Sequence, residues 1–194
     1  METTLYCIAL VTIIVFPAGV SMWFVIHPFI DTWRRLGPIT TYTVVIANSS
    51  FIAMLVYYFR ADLLSIHFEF SMLLGVLSGV LILLALILRI LLEKYLKPSI
   101  MLGLPEITPD DQVKLITQGI YSFIRHPRYL EVGFALAAIA LFVNYLAIYI
   151  LFLVYIPVIY IVVLMEEKEL RQRFGKDYEE YCKRVPRFLP KILR

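Results

Sequence analysis

An all-α, polytopic membrane protein with five transmembrane helices is the fold class this sequence predicts, on three observations. Of the 194 residues, 61% are hydrophobic and 17% charged, against about 45–50% and about 25% in a soluble domain. The apolar residues gather into runs long enough to cross the ~30 Å hydrocarbon core, which takes a helix of about 20 residues. With five crossings, 17 of the 18 Lys and Arg residues share one side, as the cytoplasmic bias of basic residues demands.

Taken in order, the first three spans are residues 5–26, 39–59 and 70–92, each of full length. The next apolar region is about twice the length of a span and divides near Asn144 into a hairpin of 129–143 and 146–165. The charge pattern tests that division. Merging the hairpin into one span would put the nine Lys and Arg of the tail opposite the other eight cytoplasmic ones. Only Arg60 stands outside the basic side. The N-terminus opens Met1-Glu2 with no basic region, and its apolar run is too long for a cleavable signal. It is therefore expected to be a retained span, with the N-terminus outside and the C-terminus cytoplasmic. Cys7 and Cys182 then lie on opposite sides of the membrane and are expected to stay reduced.

The whole chain, 1–194, reads as a single integral membrane domain. The cytoplasmic loop 93–128 is polar and interrupted by Pro98, Pro105 and Pro109, with a short helix expected near 112–117. The cytoplasmic tail is 166–194. Its first part prolongs span five into water until Gly175 stops it. Beyond that, Tyr178, Tyr181 and Val185 mark an apolar face, and Pro186 and Pro190 end the pattern. No run alternates basic and aromatic residues on a soluble scaffold, so nucleic acid is not an expected partner.

Three polar clusters converge on the cytoplasmic side: 117–121, 125–129, and Glu166-Glu167 with Arg171. The hairpin brings the second and third together although they lie ~40 residues apart. Pro127 biases His126 away from helical geometry, so the imidazole sits at a helix start whose free N–H groups suit an anionic or acceptor-rich ligand. The plain alternative is that Arg125, His126 and Arg128 are snorkelling interfacial residues. Similarly, Glu167–Arg171 and Glu169–Arg173 have the i,i+4 spacing of surface ion pairs. Pro157 is expected to kink span five by freeing the Leu153 carbonyl, which would open a lateral cleft. The only histidines are His27, His67 and His126, and His67 falls on the outer side, so no multi-histidine metal site is expected. No strand-linked G-x-G-x-x-G occurs either.

The stretch Leu115-Ile116-Thr117-Gln118-Gly119-Ile120-Tyr121 continues through Arg125-His126-Pro127-Arg128-Tyr129. It is followed by Glu166-Glu167-x-x-Leu170-x-x-x-Phe174-Gly175-x-x-Tyr178-x-x-Tyr181-x-x-x-Val185-Pro186-Arg187. Together these resemble the isoprenylcysteine carboxyl methyltransferase family and, more broadly, the integral-membrane methyltransferases that include phospholipid methyltransferases. The resemblance covers roughly the C-terminal 80 residues, and the five-span plan is similar to the small prokaryotic members. It implies a cytoplasmic C-terminal cofactor-binding region for S-adenosyl-L-methionine, capped by the tail. By motif position, Leu115, Ile116, Tyr121, His126, Pro127 and Tyr129 would line the cofactor, Glu166 or Glu167 would meet its polar groups, and Val113 and Lys114 would add backbone contacts. One departure stands out: Glu131 occupies a position where the family carries glycine.

Such an enzyme would methylate the carboxylate of an isoprenylcysteine or similar lipid-linked acid, in a protein or a small molecule, next to membrane lipids. A carboxylate is already ionised at neutral pH, so the protein has mainly to align the reactants and exclude water. Glu167 and an arginine paired with the acceptor carboxylate are the candidate catalytic groups. Arg171, Arg125 and Arg173 are favoured in that order. The competing readings are a phospholipid or amine methyltransferase, an NADPH-dependent sterol-type reductase, and a non-enzymatic scaffold with a lipid-binding tail.

Overall fold

A computed structural model describes residues 2–95, 107 and 114–190. Among these the chain is helical, and the one departure from helix and loop is an isolated antiparallel bridge between His67 and Tyr145. Helix α1 (Glu2–Ile26) and helix α2 (Ile30–Tyr58) are joined by a 3₁₀ turn over His27–Phe29. Gly37 interrupts α2 at φ 80°, just before Pro38, a backbone position that disfavours a side chain. The two helices form a hairpin. Asn48 Nδ2 donates to Ser21 Oγ at 2.9 Å, and Ser49 Oγ donates to the Ala18 carbonyl at 3.0 Å, so one helix descends as the other rises.

A single turn, α3 (Arg60–Leu63), leads to α4 (Met72–Glu93). Only Ser78, Ala85 and Leu92 of α4 are buried. Their seven-residue spacing brings each back to the same line after two turns, so α4 touches the bundle along one seam. The small residues let the backbones approach: Ser78 Oγ donates to the Ala138 carbonyl of the next helix at 2.8 Å. The remaining faces are apolar and bare, with Met72 81% and Ile90 68% exposed. That surface suits lipid rather than water.

Helices α5 (Pro127–Val143) and α6 (Leu146–Arg184) form a second hairpin. Its bend is Asn144, in the left-handed region at φ 58° and held by its side chain: Nδ2 donates to the Glu69 carbonyl, and Oδ1 accepts from Tyr149. The break in α6 lies at Gly175 (φ 51°), whereas Pro157 sits within helical backbone. Helix resumes at once after Gly175 and runs to Arg184, burying Tyr178 and Tyr181.

Cross-helix contacts fix the directions. Helix α4 runs antiparallel to α5, from Ser78–Ala138 at one end to Arg89–Glu131 at the other. Helix α1 runs alongside α6 in the same direction, as the ring pairs Tyr6–Tyr145 and Phe16–Tyr155 require. Three helical segments are long and apolar enough to cross a membrane: Glu2–Tyr58, Met72–Glu93 and Leu146–Arg184. The first of them is the folded α1–α2 hairpin. One expected element is replaced. Residues 114–117 carry no helix, and Gln112 and Val113 lie outside the described residues. Leu115 instead packs on Tyr178, Tyr181 and Val185 of the tail, and a 3₁₀ turn follows at Gly119–Ser122.

Candidate functional site

Four segments meet at the end of the bundle that carries Arg34, Arg89 and Arg125: the strip 114–122, the start of α5, the part of α6 beyond Met165, and the tail after Arg184. Proline sets the first corner. His126 has φ −123° and ψ 56°, and Pro127 opens α5 at a position where its missing N–H costs nothing. The amides of Arg125 and His126 are satisfied by the tail, donating to the Pro186 and Arg187 carbonyls at 2.9 and 3.0 Å. The tail therefore closes over the helix start and fixes both side chains.

At the centre lies Glu167, wholly shielded from solvent. Its Oε1 accepts from Arg125 Nη2 at 2.7 Å and Arg187 Nε at 3.0 Å, with His126 Nε2 at 3.3 Å. Its Oε2 accepts from Arg187 Nη2 at 2.9 Å and Arg171 Nη2 at 3.3 Å. Burial alone raises the pKa of Glu167, but the hydrogen bonds from His126 and Arg187 and the charge of Arg125 outweigh it and hold the carboxyl well below its ordinary value. In return the bond to Glu167 raises Arg187. Three guanidiniums around one carboxylate leave an excess of positive charge, of which the neighbouring Glu166 offsets part.

Glu166 faces another way. Its side chain is 28% exposed, and its Oε2 accepts from the Tyr129 hydroxyl at 2.9 Å and lies 3.7 Å from His126 Nδ1. Burial first, then the Glu166 charge, push the Tyr121 hydroxyl up to about 12. Tyr121 also stacks edge-on with Tyr95, and its carbonyl accepts the Tyr181 hydroxyl at 2.6 Å. Gly119 is needed to lay this strip down. Its φ is +60°, and a Cβ there would run into the Tyr95 hydroxyl. The motif glycine is thus a steric requirement of the wall it precedes.

Of the residues singled out from sequence, Tyr121, His126, Pro127, Tyr129, Glu166, Glu167, Arg125 and Arg171 come together here. Leu115 joins from the tail side, Lys114 is exposed and Ile116 half-buried, and Val113 lies outside the described residues. Arg173 lies over the Phe174 ring. The i,i+4 pair Glu167–Arg171 exists, but its acid is buried rather than on a solvated face. Glu169 turns to Arg34 Nη2 at 3.1 Å and His27 Nδ1 at 3.3 Å. Glu131 lies 3.9 Å from Arg89 and is not part of the cavity wall described next. Sequence reasoning gave no role to Arg187 or Phe188. The available signal was their place directly after Val185-Pro186 in a motif otherwise full of site residues.

Beside the node opens an apolar cavity of about 850 Å³ between α5 and α6, with Leu81 of α4 at its side. Gly133 and Pro157 line it, and Tyr129, Tyr160 and Phe188 stand at the end nearest the node. The His126 ring lies 6.1 Å from that of Phe188, and Arg187 Nη1 lies 3.5 Å from the Tyr160 hydroxyl. The partly exposed Glu166, with Tyr121 near it, and the greasy cleft thus border one cationic node. Such a site can hold a water-soluble reagent and an apolar-tailed one at the same time.

The model of the phospholipid methyltransferase family matches residues 73–177, more than half of the chain. Two curated relatives, each named "Probable protein-S-isoprenylcysteine O-methyltransferase", come from Oryza sativa subsp. indica and Oryza sativa subsp. japonica. Each is 40% identical over 86 residues, which is 43% of this chain and 44% of the relative. The matched stretch therefore spans less than half the length of these relatives. No solved structure matches.

Proposed function

Because this chain belongs to the phospholipid methyltransferase family, we propose that it transfers a methyl group from S-adenosyl-L-methionine to the carboxylate of an isoprenylcysteine or similar lipid-linked acid. The observation that carries the reading is that the Tyr129–Glu166 pair and the apolar cavity both border the Glu167 node.

The donor set suits the cofactor. Its ammonium and sulfonium call for an anion, and Glu166 offers a partly exposed carboxylate. Its carboxylate calls for a cation, and Arg171 is 45% exposed while anchored to Glu167. Its adenine calls for flat apolar walls, and Tyr121, Tyr95 and Leu115 supply them. Tyr129 and His126 complete the side nearest the cleft, and the Val113–Lys114 backbone is the proposed edge of the pocket. When bound, S-adenosyl-L-methionine supplies an electrophilic methyl group on a cationic sulfur. Glu167 keeps Arg125, Arg171 and Arg187 in fixed positions, and Tyr129, Tyr160 and Phe188 keep water out. The acceptor arrives ionised, so no residue has to remove a proton. Loss of two opposite charges along the reaction is favoured where water is absent.

The proposed topology has five crossings: α1, α2 after Gly37, α4, α5, and α6 up to Met165. The helix directions support it, since successive members alternate. So does the gathering of the Arg34–Glu169, Arg89–Glu131 and Arg125–Glu167 pairs at one end, read as cytoplasmic. With Cys7 and Cys182 replaced by serine, a membrane-impermeant maleimide on intact cells should label a Glu2→Cys variant and spare a Lys176→Cys variant until the cells are lysed. The reverse pattern would invert the orientation.

Calorimetry of the detergent-solubilised chain with S-adenosylhomocysteine tests the donor, and absence of binding removes the proposal. The family description also favours a second acceptor class, the amine of a phospholipid headgroup. An amine must lose a proton first, so its methylation rate should climb with pH through the amine's pKa. A carboxylate's rate should stay level.

A further inference from the structure

The geometry points to Arg187 as the residue that receives the acceptor's anionic head at the mouth of the apolar cleft, with the acceptor's tail lying between α5 and α6. This deepens the carboxylate-acceptor reading above and rests on it.

The three arginines at Glu167 are not equivalent. Arg125 is enclosed: its side chain is 8% exposed, Nη2 is on Glu167, Nη1 donates to the Cys182 and Val185 carbonyls, and the unpaired Nε is buried away from the cleft lining. Arg171 is open, but it faces the wrong neighbour, with its guanidinium over Tyr178 on the side where Leu115 packs. That side is the proposed cofactor wall. Arg187 faces the cleft. It grips Glu167 with one edge, Nε to Oε1 and Nη2 to Oε2, and is 33% exposed. A guanidinium has five N–H groups in a rigid fork, so an edge-on grip leaves three directed elsewhere. One of them lies 3.5 Å from the Tyr160 hydroxyl, and the guanidinium carbon lies 5.7 Å from the Tyr160 ring centre. Tyr160 and the next residue, Phe188, are both cleft walls.

Charge argues in the same direction. Glu167 balances one of its three guanidiniums, and the cleft below it is lined by apolar side chains with no cation of their own among the described residues. An acid with an apolar tail satisfies both surfaces at once: carboxylate on the outer edge of Arg187, where Nη1 makes only a long contact to the Tyr160 hydroxyl, and tail against Phe134, Phe152 and Ile156. A neutral ester of the same tail keeps only the second contact. The edge of Arg187 that holds Glu167 also pre-orients the fork, so little side-chain freedom is lost when the acid docks.

The test uses the full chain in detergent, saturated with S-adenosylhomocysteine and titrated with N-acetyl-S-farnesylcysteine and with its methyl ester. The unsubstituted protein should bind the acid about tenfold tighter than the ester, the size of one charge-assisted hydrogen-bond pair. Arg187→Gln should bring that ratio to about one with ester affinity unchanged, and Arg171→Gln should keep it. In turnover, Arg187→Gln should raise KM for the acid about tenfold with the smaller effect on kcat. If Arg187→Gln loses the fold of the node, Arg187→Lys decides: a point charge without the fork should give an intermediate ratio. An unchanged acid-to-ester ratio in either Arg187 variant, or its loss in Arg171→Gln, overturns the assignment. Protein that binds S-adenosylhomocysteine but neither probe removes the acceptor class and Arg187 with it, leaving the donor reading intact. Failure to bind S-adenosylhomocysteine removes the donor reading, while the same ratio, measured without it, still judges Arg187.

Discussion

Two glutamates stand two residues apart on α6 and answer to opposite halves of the molecule. Glu167 turns toward the start of α5 and the tail, where it gathers Arg125, Arg171, Arg187 and His126. Glu169 turns toward the α1–α2 corner, where it holds Arg34 and His27, with His27 stacked on Trp23 at 5.0 Å. The first node is overstocked with cations and borders a cavity. The second has its acid matched by Arg34 and stands beside the cluster of Ile26, Trp33 and Ile107. The contrast separates a node with more cations than acids from one in which a single arginine faces a single acid.

The largest expected effect comes from removing the acid of the first node. Glu167→Ala leaves three guanidiniums without their shared carboxylate, a loss of about 3–5 kcal/mol on the scale of broken buried pairs. Thermal unfolding in detergent should fall sharply, and S-adenosylhomocysteine binding should be lost with it. Acid titration sharpens the same point. The folded pKa of Glu167 is depressed, so its contribution is fully present above the ordinary value of 4.5 and is lost as pH falls through the lower folded value. The stability gap between the parent chain and Glu167→Ala should persist at pH 5 and close only in stronger acid.

Glu169→Gln should cost less, about 1.5 kcal/mol, since Arg34 is 29% exposed and partly screened. Its S-adenosylhomocysteine affinity should stay close to that of the parent. An equal loss of affinity in both variants would erase the distinction between the nodes. The smallest effect belongs to the strap over the pocket wall. Tyr181→Phe removes the bond to the Tyr121 carbonyl, worth about 1 kcal/mol, and should weaken S-adenosylhomocysteine more than it lowers the melting temperature. A change in melting temperature alone would make Tyr181 a packing residue only.

The two nodes also differ in how far the sequence reveals them. Apolar run length marks α1, α2, α4 and α6, whereas α5, of 17 residues, is found only by dividing the apolar region 129–165 near Asn144. The Glu167 node is half legible: proline before α5 and the hairpin at Asn144 force Arg125, His126 and Glu167 to one end. The resemblance then gives that end a chemistry. Arg187 escapes because nothing local ties it to Glu167; the chain must first turn at Val185 and return along Arg125 and His126. The Glu169 node is hidden, since the i,i+4 spacing to Arg173 offers a nearer explanation than an arginine 135 residues away. Local spacing also misleads at 114–117, where packing against the tail overrides helix formation.

The pairing of the Arg125 and His126 amides with the Pro186 and Arg187 carbonyls has an implication for biosynthesis. A product cut short before Pro186 would still hold every greasy segment the insertion machinery reads, and would enter the bilayer as a normal-looking protein. It would lack the clasp that seats the Arg125 and His126 side chains beside Glu167. Proteolytic nicking at Val185 would accordingly loosen the Glu167 node without removing the chain from the membrane.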